Sequence, residues 1–239
     1  LWPMIRISAF LLTAPFFSIQ AVTVRIRVLL ALLLTWMVYP LAEWPVIDPL
    51  TALGLQEIFM QIFIGVLLGT LLQVVSAALI VGGQAISASM GLSMANMVDP
   101  NMGNVPVIAQ FLIICSTLIF LALGGHIIVI SLLLESFQLM PIGEIFEAQP
   151  LMALIIQWSS MMFLGAVLLA LPIMVSLLLI NIGLGVITRA APALNIFAVG
   201  FPVTILGGLL IMFIVMPGFL DALRNLFDVS ITRSLMIFN

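Results

Sequence analysis

The sequence predicts an all-α integral membrane protein made of helical hairpins, and two observations lead to that prediction. Of the 239 residues, 64% are apolar and only 6% are charged, whereas soluble domains have roughly 25% charged residues. The apolar residues also fall into long uncharged runs, such as 58–98 and 148–188, and about 20 apolar residues are enough for a helix to cross a bilayer. We therefore expect lipid or other apolar protein surfaces to surround most of the chain.

About six hydrophobic segments follow from these runs: 5–20, 26–42, 58–84, 107–134, 152–188 and 195–220. They are apolar on all sides rather than alternating, which favours helices over barrel strands, and a helix satisfies its own backbone within lipid. The fifth segment has room for one tilted helix or for a hairpin broken near Pro172. We interpret the first as a membrane segment rather than a signal peptide, because no small-residue cleavage site with a soluble domain follows it.

The charged and metal-ligating residues argue against several classes of function. The chain has a net charge of −3 and no lysine, so it offers neither the basic patch that binds nucleic acid nor a glycine-rich phosphate loop with lysine. A single cysteine, Cys115, and a single histidine, His126, do not make a metal-ligand pattern. We expect no enzymatic activity, no catalytic residue, no metal and no cofactor.

The stretch 82–106 is the most informative part of the sequence. Its glycine, serine and asparagine residues favour non-helical backbone, yet it carries Met90, Met94, Met97 and Met102. Methionine is flexible and fills irregular gaps, and non-helical backbone at membrane depth must be buried in protein or line a cavity. The stretch is therefore either a deformable plug that closes a pore or an ordinary buried re-entrant loop.

Pairs of small residues at four-residue spacing predict close helix packing, because such pairs let helix backbones approach each other. The pairs are Gly65 and Gly69, Ala78 and Gly82, and Ala85 and Ser89. The sequence does not say whether the neighbouring helices belong to this chain or to a partner.

Two ionisable residues in apolar segments each have two interpretations. His126 is better interpreted as a hydrogen-bonded packing residue than as a proton relay, because a relay needs a partner and Asp99 is the only acid from Ile58 to Leu134. A protease-like pair of Ser93 and His126 lacks a nucleophile motif. Arg189, shortly before Pro192, is typical of a helix C-terminus, but it would equally suit a docking point for an acidic group on a partner.

Several motifs resemble the FliR family of flagellar type III export components. The longest is Arg189-Ala-Ala-Pro-Ala-Leu-Asn-Ile-Phe-Ala-Val-Gly-Phe-Pro-Val-Thr-Ile-Leu-Gly-Gly208. The stretch from Met90 to Pro100, the Gly125-His126 step and Leu139-Met-Pro-Ile-Gly143 are also similar, although asparagine is expected where Gly125 stands. The resemblance extends from the first segment to about Leu220. The related injectisome family, SctT, shares the Arg–Pro–Leu-Asn pattern, but the Ile-Phe-Ala-Val-Gly-Phe-Pro run is more similar to the flagellar proteins.

The resemblance implies a non-enzymatic subunit of an export gate in the bacterial inner membrane, inside the flagellar basal body. FliP, FliQ and FlhB would be its partners, and unfolded polypeptides would pass through the gate. The fold implied is a single membrane domain with a FliP-like half at about 1–150 and a FliQ-like hairpin at about 151–239.

The resemblance also makes the plug the preferred interpretation, because the equivalent of residues 94–106 closes the channel in that family. The candidate plug residues are Met94, Asn96, Met97, Asp99, Asn101, Met102 and Asn104. The candidate packing or subunit-contact residues of the second motif are Arg189, Pro192, Asn195, Gly200 and Pro202. A small-molecule or ion transporter is the competing class, but it would place polar groups together at mid-membrane, and this sequence has few of them. A pure scaffold role is a third possibility.

Overall fold

The computed structural model describes residues 1–15, 23–41, 44–92, 107–143, 148–191 and 196–236. These residues form seven α-helices and no strand, which confirms the all-α prediction. The helices are α1 (Trp2–Thr13), α2 (Val24–Val38), α3 (Ala52–Ser89), α4 (Val107–Ala122), α5 (Gly125–Leu139), α6 (Ala148–Ala190) and α7 (Ile196–Met236). A short 3-10 turn, Tyr39–Leu41, follows α2.

Three of these helices contain stretches that are long and apolar enough to cross a membrane. The stretches are Ala52–Ser89, Trp158–Ala190 and Val199–Phe227. A fourth candidate in the described ranges exists only if α4 and α5 together make one bent crossing. With 12 and 15 residues, α1 and α2 are shorter than the roughly 20 residues that one crossing requires.

The helix breaks do not all lie where the sequence suggested. The segment expected at 107–134 is two helices bent by 72°, and the turn between them contains Gly124 with a φ of 71°, a left-handed conformation that glycine adopts without strain. In contrast, α6 continues through Pro172, so the single-helix alternative for the fifth segment is correct. Likewise, α7 contains Pro202 and Pro217, as apolar membrane helices tolerate.

The contacts of the chain fall into two compact units, and the first comprises Leu1–Ser76, Ile119–Ser160 and Asp228–Asn239. Within it, α1 packs against the small-residue face of α3. A Cβ placed on Gly65 would lie only 2.8 Å from the Cβ of Ala9, and one on Gly69 would collide with Thr13. The predicted close helix packing at Gly65 and Gly69 is therefore confirmed, and the neighbouring helix belongs to the chain itself.

The second unit comprises Ala77–Leu118 and Met161–Phe227. Here the C-terminal part of α3 packs against α6: a Cβ on Gly82 would lie 3.2 Å from the carbonyl oxygen of Ala166, and one on Gly165 would lie 3.4 Å from the Cβ of Ala78. The second predicted pair of small residues is thus also a contact between helices of this chain. Next to this contact lies an apolar groove of about 530 Å³, and Ala85 and Ser89 line one of its sides.

Candidate functional site

The candidate plug residues all lie outside the described residues, because they fall within 93–106. These residues are Met94, Asn96, Met97, Asp99, Asn101, Met102 and Asn104. The structure does describe the chain on both sides of this segment, at the end of α3 and at the start of α4. Both ends belong to the second unit.

The helix α3 ends in a Schellman motif, which stops the helix at a defined residue. The amide of Leu92 donates to the carbonyl of Ser87 at 3.0 Å, and the amide of Gly91 donates to the carbonyl of Ala88 at 3.0 Å. Gly91 has a φ of 80°, the left-handed conformation that this motif requires after the last helical residues. The start of segment 93–106 is therefore set by a regular helix end.

Residues of α7 pack against the C-terminal end of α3. Met90 is completely buried, and a Cβ placed on Gly208 would lie 2.8 Å from Met90 Cγ. The hydroxyl of Thr204 donates to the carbonyl oxygen of Met90 at 3.2 Å. The ring of Phe201 lies next to Gly91, since a Cβ there would be 3.2 Å from a ring carbon. The motif that resembles the FliR hallmark thus contacts the residues that immediately precede the predicted plug.

The other end of the segment is held by a close contact between α4 and α3. A Cβ placed on Gly83 would lie 2.5 Å from the Cα of Ala109, so a larger residue than glycine at this position would separate the two helices. Ala109 itself is completely buried, and it is the third residue of α4. Both ends of segment 93–106 are therefore packed against helices of the second unit.

The second set of predicted site residues is only partly described. Arg189 is exposed in the last turn of α6, which agrees with its interpretation as a residue at a helix C-terminus. On α7, Gly200 is buried and Pro202 is exposed. Pro192 and Asn195 lie outside the described residues.

A buried polar cluster in the first unit was not predicted from the sequence. Arg6 is completely buried, and its Nε donates to Gln61 Oε1 at 2.6 Å. Its Nη1 donates to the carbonyl of Ser136 at 2.6 Å, and its Nη2 donates to the carbonyl of Met140 at 2.8 Å. Gln61 Nε2 in turn donates to Glu57 Oε1 at 2.6 Å. One guanidinium thus connects α1, α3 and the C-terminal end of α5, where the helix dipole favours a positive charge.

Two aromatic side chains, Phe137 and Trp44, pack next to this cluster. The guanidinium carbon of Arg6 lies 4.3 Å from the centroid of the Phe137 ring, a cation–π geometry. Trp44 packs edge-on against the same ring at 5.6 Å, and its indole donates to the carbonyl of Tyr39 at 2.8 Å. The sequence feature that could have indicated this cluster is an arginine inside an apolar segment, because a buried charge needs polar partners. The partners are 55 to 134 residues away along the chain, so the sequence pattern did not reveal them.

His126 lies at the start of α5, directly after the bend at Gly124. It is half-buried, and its Nδ1 is buried without a hydrogen-bond partner among the described residues. The hydrogen bond that we expected is therefore not seen at this nitrogen. In the part of the chain that the structure describes, no group of three or more His, Cys, Asp and Glu side chains is placed to hold a metal ion.

Long apolar helices, packed around the two ends of a methionine-rich segment, define a helical membrane protein. Residues 1–229 match the family described as bacterial export proteins, family 1. The chain therefore belongs to this family of bacterial export proteins.

The chain is also similar to several flagellar biosynthetic proteins. Over 221 residues, the chain is 37% identical to the flagellar biosynthetic protein FliR of Pectobacterium carotovorum. This alignment covers 90% of this chain and 83% of that protein. Over 229 residues, it is 36% identical to FliR of Escherichia coli, and this alignment covers 95% of this chain and 87% of that protein. FliR of Bacillus subtilis is more distant, at 28% identity over 231 residues. The resemblance to the FliR family is thus confirmed.

Proposed function

We propose that this chain is a non-enzymatic subunit of the flagellar type III export gate, which helps to form and to plug the channel for unfolded flagellar proteins. The observation that supports this most strongly is the family match over residues 1–229, together with relatives that are named flagellar biosynthetic protein FliR. These names favour export over the alternative of a small-molecule or ion transporter.

We also propose where the chain lies and what it binds. It lies in the bacterial inner membrane, within the flagellar basal body, together with FliP, FliQ and FlhB-type subunits. The chain consists of a FliP-like half at about 1–150 and a FliQ-like hairpin at about 151–239, with about six hydrophobic segments arranged as helical hairpins. In this arrangement Arg189, Gly200 and Pro202 serve packing or subunit contact.

The lengths of the helices support extensive contact with other subunits. At 1.5 Å per residue, the 38 residues of α3 and the 43 residues of α6 give helices of roughly 57 Å and 65 Å, about twice the roughly 30 Å of bilayer hydrocarbon. Many large apolar side chains on α6 are exposed in the isolated chain, among them Leu168, Leu179 and Val186. Apolar surface of this length needs protein partners as well as lipid.

The plug is proposed to work by displacement. A gate must pass an unfolded polypeptide and yet retain ions when idle, and a rigid narrow filter cannot do both. A segment rich in methionine and asparagine adapts its shape and can change between an ordered and a displaced state. The packed positions of Met90 and Ala109, on either side of segment 93–106, support this proposal because they attach both ends of the proposed plug to one helical unit.

Two experiments test the proposal. The first purifies the tagged chain from detergent-solubilised membranes and identifies co-purifying proteins by mass spectrometry. Stoichiometric recovery of the small hydrophobic gate subunits is expected, whereas recovery of the chain alone or as a homo-oligomer would favour the transporter. The second deletes residues 96–104 and measures the leak of small ions across the membrane of cells that assemble the gate. An unchanged leak would refute the plug.

A further inference from the structure

The exposed side of α2 carries large apolar side chains. The helix packs against α1, and its buried residues are Ala31, Leu34 and Val38. A different face begins at Arg25 and continues at spacings of three and four residues, which place side chains on one side of a helix. The exposed apolar residues that follow Arg25 on this face are Val28, Leu29, Leu32 and Trp36. These five residues form the outer face of α2, with a positive charge at its start and an apolar surface after it.

The contacts between helices of this chain use small residues instead. A Cβ placed on Gly65 would lie 2.8 Å from the Cβ of Ala9 on α1, and one on Gly83 would lie 2.5 Å from the Cα of Ala109 on α4. Small residues are enriched where membrane helices meet, because they let two backbones approach closely. None of the exposed residues of α2 is glycine, alanine or serine. The outer face of α2 therefore fits flexible acyl chains better than it fits a further helix.

Arg25 has no counter-charge within the described residues. It is exposed, it makes no ion pair in that part of the chain, and the first turn of α2 contains no acid. Along the sequence, no aspartate or glutamate precedes Glu43, whereas Arg27 adds a second positive charge. The start of a helix is also unfavourable for a cation, because the dipole is positive there. An anion from outside the chain would therefore stabilise Arg25.

Three other arginines differ from Arg25 in this respect. Arg6 is buried and has hydrogen-bond partners within the chain. Arg224 lies 3.8 Å from Asp221. Arg189 lies in the last turn of α6, where the helix dipole favours a cation. The chain thus provides a compensating group or dipole for each of these three charges.

We propose that the outer face of α2 binds an anionic phospholipid, with Arg25 on the phosphate and the acyl chains along Val28, Leu29 and Leu32. A guanidinium can donate two parallel hydrogen bonds to a phosphate, and basic residues at the end of a membrane helix attract anionic lipids. A carboxylate of a partner protein is the competing anion, but it would not explain the large apolar residues that follow Arg25. The proposal goes beyond the proposed function, because it needs only a chain surrounded by lipid and no export gate.

The test measures the lipid that the purified chain retains in detergent. Phosphatidylglycerol and phosphatidylcholine are added in equal amounts, and the lipid retained after gel filtration is quantified by mass spectrometry. We expect the parent to retain several-fold more phosphatidylglycerol. Arg25→Gln should lower this retention about five-fold and leave phosphatidylcholine unchanged. Arg224→Gln is the matched control, because it neutralises an exposed arginine that already has Asp221 beside it, and it is expected to retain lipid as the parent does.

A second measurement needs no variant. Salt screens the attraction between exposed charges, so gel filtration at high ionic strength should remove the parent's preference for phosphatidylglycerol. Equal retention of the two lipids by the parent at low salt, a preference that salt does not change, or unchanged retention in Arg25→Gln would each overturn the proposal. If Arg25→Gln keeps its lipid but loses another gate subunit in the pull-down, the anion is a protein carboxylate and the lipid site is overturned. The lipid assay contains no other subunit and no ion leak, so its result is independent of the tests of export and of the plug.

Discussion

Replacement of Arg6 by methionine is expected to destabilise the chain strongly. Methionine fills much of the same space but cannot donate to Gln61 Oε1 or to the carbonyls of Ser136 and Met140, which the guanidinium reaches at 2.6 to 2.8 Å. It also removes the positive charge near Glu57, a buried acid that remains bonded to Gln61. Removal of one member of a buried charged network typically costs about 3–5 kcal/mol.

We expect a value near the lower end, about 3 kcal/mol, because the variant no longer has to bury a guanidinium and methionine packs well in apolar surroundings. For a chain of this size, each kcal/mol lowers the melting temperature by roughly 2–4 °C, so the total shift is roughly 6–12 °C. Thermal unfolding of the purified chain in detergent, followed by circular dichroism, measures it. Adding Glu57→Gln should recover part of the loss, since it removes the acid that has lost its nearby cation.

Arg224→Met is the matched control, because the same substitution is made where the side chain is 56% exposed and only 3.8 Å from Asp221. An exposed pair of this kind contributes about 0–1 kcal/mol, so a shift of only a few degrees is expected. The reasoning is refuted if Arg6→Met unfolds no earlier than Arg224→Met. That outcome would mean that the free-energy cost of burying the guanidinium is as large as the stabilisation from all of its hydrogen bonds.

Three further substitutions test the helix contacts, each by thermal unfolding in detergent. Gly83→Val should destabilise the chain by several degrees, because its Cβ would be forced to within 2.5 Å of the Ala109 backbone; an unchanged melting temperature would contradict that contact. Gly124→Ala should cost about 1–2 kcal/mol, since alanine resists the left-handed conformation at φ 71°, and a neutral result would contradict the bend. Trp158→Phe removes the indole hydrogen bond to the carbonyl of Leu71 at 3.1 Å and should cost about 1 kcal/mol, whereas an equal or higher stability would argue against that bond.

Hydrophobicity alone was sufficient to predict the class of the protein and most of its helices. Uncharged runs of this length form helices wherever water is absent, because only a helix satisfies the backbone within one segment. The same local physics explains the prediction of close contacts at Gly65 and Gly82, since a residue without a side chain leaves room for a neighbouring backbone. The family, too, could be recognised from short motifs, because these are read directly from the order of residues.

The positions of the helix breaks were harder to predict, because proline and glycine can each break a helix, and the surroundings decide whether they do. Proline suggested a break at 172, and no proline marks the actual bend at Gly124. Within α6, the loss of one backbone hydrogen bond at Pro172 is outweighed by the continuous apolar helix. At the Gly124-Gly125 pair, in contrast, the chain bends by 72°, because Gly124 adopts a positive φ. The sequence alone does not state which preference prevails, since the answer depends on what surrounds each helix.

The sequence by itself determined that this chain is a helical membrane protein of an export family with a methionine-rich segment between two apolar helices. Only the tertiary structure decided which residues hold that segment and which groups balance the buried charge. Met90 meets Thr204 across 114 residues of chain, and Arg6 reaches Met140 across 134. Periodicity and residue preference describe interactions within a few residues, whereas partners at such separations are chosen by how whole helices pack.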